Sequence, residues 1–339
     1  MRLRSLLGAA LLGLAPGIAR PTLQAPPRLS QTGLYAAPGL VAARNLAYAP
    51  QYPLWTDGAA KARWLHLPAG TAIDGRDEAA WVFPVGTKAW KEFAFQGRKV
   101  ETRLLWKTGP RTWVLATYAW NAEQTDAFLV PEEGRPGAVD LGAGARHDLP
   151  SRADCRTCHG QGQVDLLGLT ALQLSPDRDP GALHGEPVPP GGVTLRELVA
   201  RRLLVGARPD LLTRPPRILA DNPTTRAILG YLAGNCAACH RPERPLTGLD
   251  LDLRPSGGEA EVPALRTTVG RPSLYQTPGA PRAPRIQPGD PGRSTLLHRM
   301  ASRRPASQMP PLGTALPDTE ALARLRAWIA ALPPAAVSP

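Results

Sequence analysis

Two cysteine pairs, each followed directly by a histidine, are the residues whose types and spacing could do chemistry. Two thiols three positions apart on one helical turn can both form thioethers with the vinyl groups of a haem, and the following imidazole then reaches the iron as an axial ligand. The pattern therefore predicts two covalently attached c-type haems. The two motifs are Cys155, Cys158 and His159, and Cys236, Cys239 and His240.

Four cysteines also permit other interpretations. An exported chain can pair them as two disulfides, or all four thiols can hold one zinc ion. Neither alternative accounts for a histidine directly after each pair. Haem attachment remains the leading interpretation, with disulfides and zinc kept as alternatives.

Methionine is a common second axial ligand of a c-type haem iron, and its thioether raises the reduction potential. Beyond Met1, the chain has only Met300 and Met309. Met309 stands in a proline-rich loop before the last predicted helix, whereas Met300 lies in a helix-like stretch, where methionine usually fills a core. We therefore expect His240 and Met309 to hold the second haem iron.

The second axial ligand of the first haem is left open by the sequence. No methionine lies between His159 and the second motif. Among the remaining histidines, His66, His147, His184 and His298, the better candidates are His147 and His184. A distal side carrying water or no ligand is equally consistent with the sequence.

The N-terminus predicts export from the cytoplasm. Arg2 and Arg4 precede an apolar run over residues 6–14, and small residues at 17–19 resemble a cleavage site, which together indicate a signal peptide over residues 1–19. The apolar run is shorter than the about 20 residues that a bilayer requires. We expect a periplasmic or otherwise exported protein with no stable membrane span after cleavage.

The charge is basic but does not indicate a nucleic-acid binder. The formal net charge is +12, and every lysine falls between Lys61 and Lys107. Basic residues are not interleaved with aromatic residues in a recognition motif, so we interpret the charge as a solvated surface that favours acidic redox partners.

Element patterns change along the chain. Short β-branched and aromatic runs separated by glycine turns predict strands at residues 81–83, 93–95, 100–106 and 113–120. Helical periodicity follows at 195–204, from about 224 towards Cys236, and from 318 to 332. In the β-rich part, the tryptophans are interpreted as core residues and Asp57 as a turn residue.

Several short stretches resemble a family of bacterial exported haem proteins of mostly unknown role. The resemblance implies a class I type cytochrome c fold over residues 221–335, with Met309 opposite His240. With the strand pattern, it predicts an α+β chain with a β-rich domain at 36–150 and a first haem segment at 151–220, the haem-binding segments being mainly α-helical. The stretches that carry the resemblance are 120–127, 150–155, 231–240, 248–252, 288–294, 309–311 and 328–329.

The function expected from these features is electron transfer. Two haems would pass electrons from a dehydrogenase or another cytochrome to a further acceptor. Two alternatives remain: a diheme enzyme of peroxidase type in which the first haem is the reaction centre, and a module whose β-rich domain binds a ligand while the haems report redox state.

Overall fold

A computed structural model describes residues 24–159, 166–242, 249–254, 262–280 and 282–333. The proposed signal peptide at 1–19 lies outside these residues. Within the described ranges no helix is long and apolar enough to cross a membrane. The strands are Tyr35–Ala37 (β1), Leu40–Val41 (β2), Leu46–Ala47 (β3), Ala60–His66 (β4), Ile73–Asp74 (β5), Lys88–Phe95 (β6), Arg98–Lys107 (β7), Trp113–Trp120 (β8), Ala127–Leu129 (β9), Arg135–Gly142 (β10), Ala145–Leu149 (β11) and Leu204–Val205 (β12).

The helices are short. α3 and α6 are the longest, at 13 residues each. α3 begins with Pro223 behind an Asn222 cap, and α6 is capped by Asp318, as expected for helix N-termini. The helices of the described residues are Arg152–His159 (α1), Leu195–Ala200 (α2), Pro223–Asn235 (α3), Pro263–Thr268 (α4), Thr295–Ala301 (α5) and Thr319–Ala331 (α6).

The largest sheet of the described residues is antiparallel and has six strands, in the order β3-β4-β6-β7-β8-β9. Side chains alternate between its two faces. One face carries Trp90, Leu104 and Tyr118, which pack under the N-terminal segment through Leu29 and Leu34. We call this the outer face.

The opposite face, called the inner face, has an apolar end and a charged end. At the apolar end, Leu65 and Ala89 share a core with Leu169, Leu174 and other residues of 166–211. The short parallel pairing of β5 with β12 ties the same segment to the β-rich part. The described residues of 166–211 are therefore folded onto the sheet instead of standing apart from it.

The prediction of an α+β chain with mainly α-helical haem-binding segments is wrong. The structure is dominated by antiparallel sheet and has six short helices in its described residues. Between α3 and α6, α4 has only six residues and α5 only seven, with turns and irregular backbone joining them. The 39 prolines of the chain explain this, because proline lacks the backbone donor that a helix interior requires.

Candidate functional site

The second cysteine motif directly follows α3. The Asn222 side chain accepts a hydrogen bond from the backbone N–H of Thr225, which fixes the start of the helix. Beyond Asn235 the chain continues as a tight turn, because the backbone N–H groups of both Cys239 and His240 donate to the carbonyl of Cys236. This turn brings both thiols and the imidazole to the end of one helix, as the sequence predicts.

A cavity of about 310 Å³ opens at this turn. Its wall is predominantly apolar, with a few cationic side chains at its border. Such a cavity can take a large flat apolar group that carries anionic substituents. The wall contains all three residues of the second motif with both methionines, together with Trp55, Tyr231, Leu249, Leu251, Leu253, Leu274, Tyr275, Leu296, Pro310, Arg285, Arg299 and Arg303.

The two methionines of this cavity have different surroundings. Met309 lies in the loop after α5, where its backbone N–H donates to the carbonyl of Arg299 at 3.0 Å. Met300 is 6% exposed and packs in the core that α5 shares with α3 and α6. Met300 thus fills the core as expected while also reaching the cavity wall, and Met309 stays the candidate ligand.

His240 is partly buried at the cavity wall, and its buried Nδ1 atom lacks a hydrogen-bond partner among the described residues. Burial lowers the pKa of His240, and the nearby Arg299 and Arg285 lower it further. Burial also raises the pKa of the Cys236 thiol to about 12. A neutral imidazole with an unsatisfied ring nitrogen is the form that ligates a metal ion.

The first cysteine motif lies entirely within α1. The Ser151 hydroxyl donates to the Asp154 carboxylate at 2.7 Å and accepts from the Asp154 backbone N–H at 3.0 Å, so the two residues cap the helix reciprocally. The thiol of Cys155 shares a hydrogen bond with the hydroxyl of Thr117 on β8, and burial raises its pKa. α1 therefore lies against the inner face of the sheet.

The two motifs meet in space. The thiol of Cys158 is hydrogen-bonded to the thiol of Cys239, and this contact together with burial raises the pKa of Cys158. The sequence separates the motifs widely, and no local pattern predicts that they touch. His159 is partly exposed, and residues 160–165 after it lie outside the described residues.

His147 is held by carboxylates on both ring nitrogens. Nδ1 lies 2.9 Å from Oδ2 of Asp57, and Nε2 lies 3.1 Å from Oε1 of Glu101. Burial opposes a charge on this ring, but the two carboxylates outweigh it and raise the pKa of His147 to about 8. In this arrangement neither nitrogen is free to ligate an iron, so the structure does not support His147 as the sixth ligand of the first haem.

The remaining histidines lie elsewhere. His184 Nε2 is 2.8 Å from Oδ2 of Asp318. Its ring contacts Trp55 and Tyr231, which line the cavity at the second cysteine motif. His66 is on β4, with a buried Nδ1 that lacks a hydrogen-bond partner in the described structure. His298 is on α5 beside the ring of Tyr275.

The sequence predicts Asp57 only as a turn residue. Its φ of +47° and the following Gly58 at +73° show that the turn is real. Its side chain is also fully buried, and Oδ1 accepts the backbone N–H groups of Ala315 at 2.8 Å and Leu316 at 2.9 Å. The only sequence signal at this position is the Asp57-Gly58 turn pattern. It does not reveal the distant partners of the Asp57 carboxylate.

The alternative cysteine arrangements are not formed in the described structure. None of the four cysteines forms a disulfide in the described residues. Within the described ranges, no group of three or more His, Cys, Asp or Glu side chains is close enough to hold a metal ion, so the four thiols do not converge on one zinc site.

Comparison of the chain with family models, with curated proteins and with solved structures found no match. The function is therefore inferred from the site itself.

Proposed function

We propose that this chain is an exported c-type cytochrome that binds two haems covalently and transfers electrons through them. The contact between the Cys158 and Cys239 thiols is the observation that carries the proposal. Groups attached to these two sulfur atoms would lie close to each other, and a short separation favours electron transfer between two redox centres.

The residues of the second site fit a haem. Cys236 and Cys239 would carry its vinyl groups, and His240 and Met309 would supply the axial ligands. The apolar wall would exclude water, and Arg285, Arg299 and Arg303 at the same cavity would pair with the propionates. The haem itself supplies one-electron chemistry, while the protein sets its potential through ligation and burial.

The first site fits a haem less completely. Cys155 and Cys158 on α1 would carry the vinyl groups, and His159 would be the axial ligand on that side. Met300 and Met309 both line the cavity of the second motif, and both ring nitrogens of His147 are held by carboxylates. We therefore assign no second axial ligand to the first haem.

The haem content tests the proposal directly. We expect the purified exported protein to show two c-type haems per chain in a pyridine haemochrome assay, and reversible absorption changes on reduction. A matched pair of variants, Cys155→Ala with Cys158→Ala and Cys236→Ala with Cys239→Ala, should each retain one haem. A wild-type protein without haem would overturn the proposal.

The assignment of Met309 is tested by replacing each methionine in turn. Met309→Leu should abolish the methionine-to-iron charge-transfer band and lower the potential of the second haem, because the thioether ligand is lost. Met300→Leu is the matched control, since it keeps a similar volume in the core and should retain the band. If the band is lost in Met300→Leu and retained in Met309→Leu, Met300 is the iron ligand and the assignment of Met309 is wrong.

Export and partners belong to the same proposal. A signal peptide at 1–19 and a basic surface favour a periplasmic protein that docks with acidic redox proteins, such as a dehydrogenase or another cytochrome. Fractionation of cells and the mass of the mature chain test export. Electron exchange with an acidic cytochrome should slow as salt is added, because screening weakens the attraction.

One observation favours a second function, an enzyme of peroxidase type. Both ring nitrogens of His147 are held by Asp57 and Glu101, and His184 lies beside residues of the second motif's cavity, so neither candidate histidine is placed to fill the distal side of the first haem. An open distal side would admit a small substrate such as peroxide. A high-spin haem whose spectrum changes with peroxide would support this function, and two low-spin haems inert to peroxide would exclude it.

A further inference from the structure

The cavity at the second cysteine motif meets solvent beside an exposed apolar side chain. Leu274 is 66% exposed, a higher fraction than for any other large apolar side chain of the described residues, and it also lines the cavity. A single exposed leucine needs no explanation by itself. This one, however, stands where another protein would come near a haem held by Cys236, Cys239 and His240.

Two exposed arginines flank Leu274. Arg271 precedes it by three residues, and an antiparallel bridge between Pro272 and Pro284 brings the segment that carries Arg282 beside it. Arg271 donates through Nε to a backbone carbonyl at 2.9 Å, and within the described residues neither arginine pairs with a carboxylate. Both guanidinium groups stay protonated at neutral pH. We call Leu274, Arg271 and Arg282 the rim.

The positive charge continues from the rim into the cavity. Arg285 and Arg299 line the cavity, and both are close enough to His240 for their charges to act on its ring. Arg271 is likewise close enough to act on Arg285, whose backbone N–H donates to the carbonyl of Arg271 at 2.8 Å. The guanidinium of Arg299 lies 4.8 Å from the centre of the Tyr275 ring. The rim and the candidate iron ligand therefore belong to one cationic region.

Haem propionates would not neutralise this region. The two propionates of a haem would pair with two of the cavity arginines Arg285, Arg299 and Arg303, and would leave the third and the rim unpaired. Acids are also few here, because residues 262–304 contain eight arginines and one carboxylate, that of Asp290. This carboxylate accepts a backbone N–H at 3.1 Å. The rim therefore stays cationic with the haem in place.

We infer that the rim is the docking site of an acidic electron-transfer protein, which exchanges electrons with the second haem at this opening. The inference rests on the proposed function and adds to it the surface through which the second haem meets its partner. An apolar centre flanked by arginines suits a protein interface, because Leu274 would be buried and the arginines would pair with the partner's carboxylates. A second copy of this chain fits less well, since a net charge of +12 makes two copies repel each other.

The test measures electron transfer from reduced flavodoxin, an acidic protein, to the haem-loaded full chain by stopped-flow absorption. Each transfer removes one electron from the flavin and reduces one ferric haem. Arg271→Glu should lower the second-order rate constant about fivefold at low ionic strength, because it reverses a charge that attracts the donor. This difference should shrink as salt is added, because screening weakens the attraction. Leu274→Ser should slow the transfer at low and high salt alike, because it removes apolar area from the contact.

Two exposed residues outside the cavity wall provide matched controls. Arg111→Glu reverses a charge in the turn between β7 and β8, and Leu40→Ser changes a leucine that is 63% exposed on β2. Both should keep the wild-type rate constant, and all four variants should keep two haems. If Arg111→Glu slows the transfer as much as Arg271→Glu, only the net charge matters and the inference is wrong.

A cationic donor, hexaammineruthenium(II), separates docking from driving force. Arg271→Glu should speed the reaction with this donor, because the repulsion at the rim is removed. A variant that only lowers the potential of the haem would instead slow the reaction with both donors, and that result would overturn the inference.

Equal rate constants for the wild type, Arg271→Glu and Leu274→Ser, with two haems present, would overturn the inference and leave the proposed function intact. A wild type without haem would overturn both. If gel filtration shows a dimer that Leu274→Ser converts to a monomer, the rim binds a second copy and the inference is wrong. Binding to phosphatidylglycerol vesicles that is lost in Leu274→Ser would assign the rim to a membrane surface and would equally contradict it.

Discussion

Two histidines of this chain have opposite surroundings. His147 is held on both ring nitrogens by carboxylates, whereas His240 has a buried Nδ1 without a hydrogen-bond partner in the described structure. Buried polar atoms are usually satisfied, and an exception calls for a ligand or a functional role. The contrast favours a structural role for His147 and keeps His240 as the candidate axial ligand of the proposed second haem.

The doubly held His147 should make stability depend on pH. Its folded-state pKa of about 8 lies above the unfolded value of 6.5, so its contribution is fully present below pH 6.5 and is lost as the pH rises through 8. The shift corresponds to about 2 kcal/mol. Urea unfolding of the wild type between pH 6 and 9 should show this decline.

His147→Gln is the comparison, since glutamine fills similar space but does not titrate. Its free energy of unfolding should lack the decline between pH 6.5 and 8.5 that the wild type shows. Equal pH dependence in both proteins would contradict a charged His147 between Asp57 and Glu101.

The thiol contact between the motifs predicts a specific disulfide when haem is withheld. In the exported haem-free chain, Cys158 and Cys239 should lose two protons and pass two electrons to a disulfide oxidant of that compartment, because contact favours their pairing. Peptide mapping by mass spectrometry under non-reducing conditions should find this link. Predominant Cys155–Cys158 and Cys236–Cys239 links would contradict the contact.

At the scale of elements, α3 is fixed by a close approach to the segment before β4. A Cβ atom on Gly230 would come within 2.0 Å of the Tyr52 ring, and one on Gly234 would come within 2.4 Å of the Tyr52 carbonyl oxygen. Asn235 adds a hydrogen bond from the Trp55 backbone N–H at 2.8 Å. These contacts place the second motif beside the β-rich part.

Gly230→Ala should therefore destabilise the protein by about 2 kcal/mol, as overpacking does, although alanine favours helix. The measurement is the free energy of unfolding in urea. In a Tyr52→Ala background the same change should cost much less, because the ring that it meets is gone. If the free-energy changes of Gly230→Ala and Tyr52→Ala simply add in the double variant, the Tyr52 ring does not limit the approach of α3.

Local patterns predicted the strands and helices that depend on local chemistry. The runs at 93–95, 100–106 and 113–120 lie within β6, β7 and β8, and the capped starts of α3 and α6 are where the sequence places them. The run at 81–83 is not a strand; Val82 forms only an isolated bridge with Asp74. Its partner Asp74 belongs to β5, which has only two residues, so the pairing does not extend into a ladder.

Features that depend on distant partners could not be predicted. The alignment of Arg63, Lys91 and Arg103 exists only through the register of β4, β6 and β7, which places three separate segments side by side. The contact of Cys158 with Cys239 and the use of Asp57 likewise require the assembled fold. Periodicity overestimates the helical content, because the proline-rich segments between the helices lack the backbone donors that a helix interior requires.

At the scale of the whole molecule, a buried chain of polar contacts joins the two sites. Arg103, which acts on Cys155 and Cys158, pairs with Glu101; Glu101 contacts His147, and His147 contacts Asp57. Asp57 in turn accepts two backbone N–H groups of the loop that follows Met309. The side chain of Asp57 is therefore the link between the β-rich part and the loop of the second site.

Removing this link should weaken the whole structure and the second site together. Asp57→Ala leaves two partly buried N–H groups and one buried imidazole without their acceptor, which should cost about 3 kcal/mol or more. Asp57→Asn keeps an oxygen for the loop and should cost less. Because the loop positions Met309, Asp57→Ala should also weaken the methionine-to-iron charge-transfer band. A general loss of stability alone would leave this band unchanged in the molecules that remain folded.

Asp140→Ala is the control for this last prediction, since Asp140 also accepts a backbone N–H, that of Gly142 at 2.8 Å, but at an exposed position. Its free energy of unfolding should stay within about 0.5 kcal/mol of the wild type, as at most surface sites. Urea unfolding and the visible spectrum of each variant are the measurements. If Asp57→Ala matches Asp140→Ala in stability, Asp57 is a turn residue only, and the two sites are joined by other contacts.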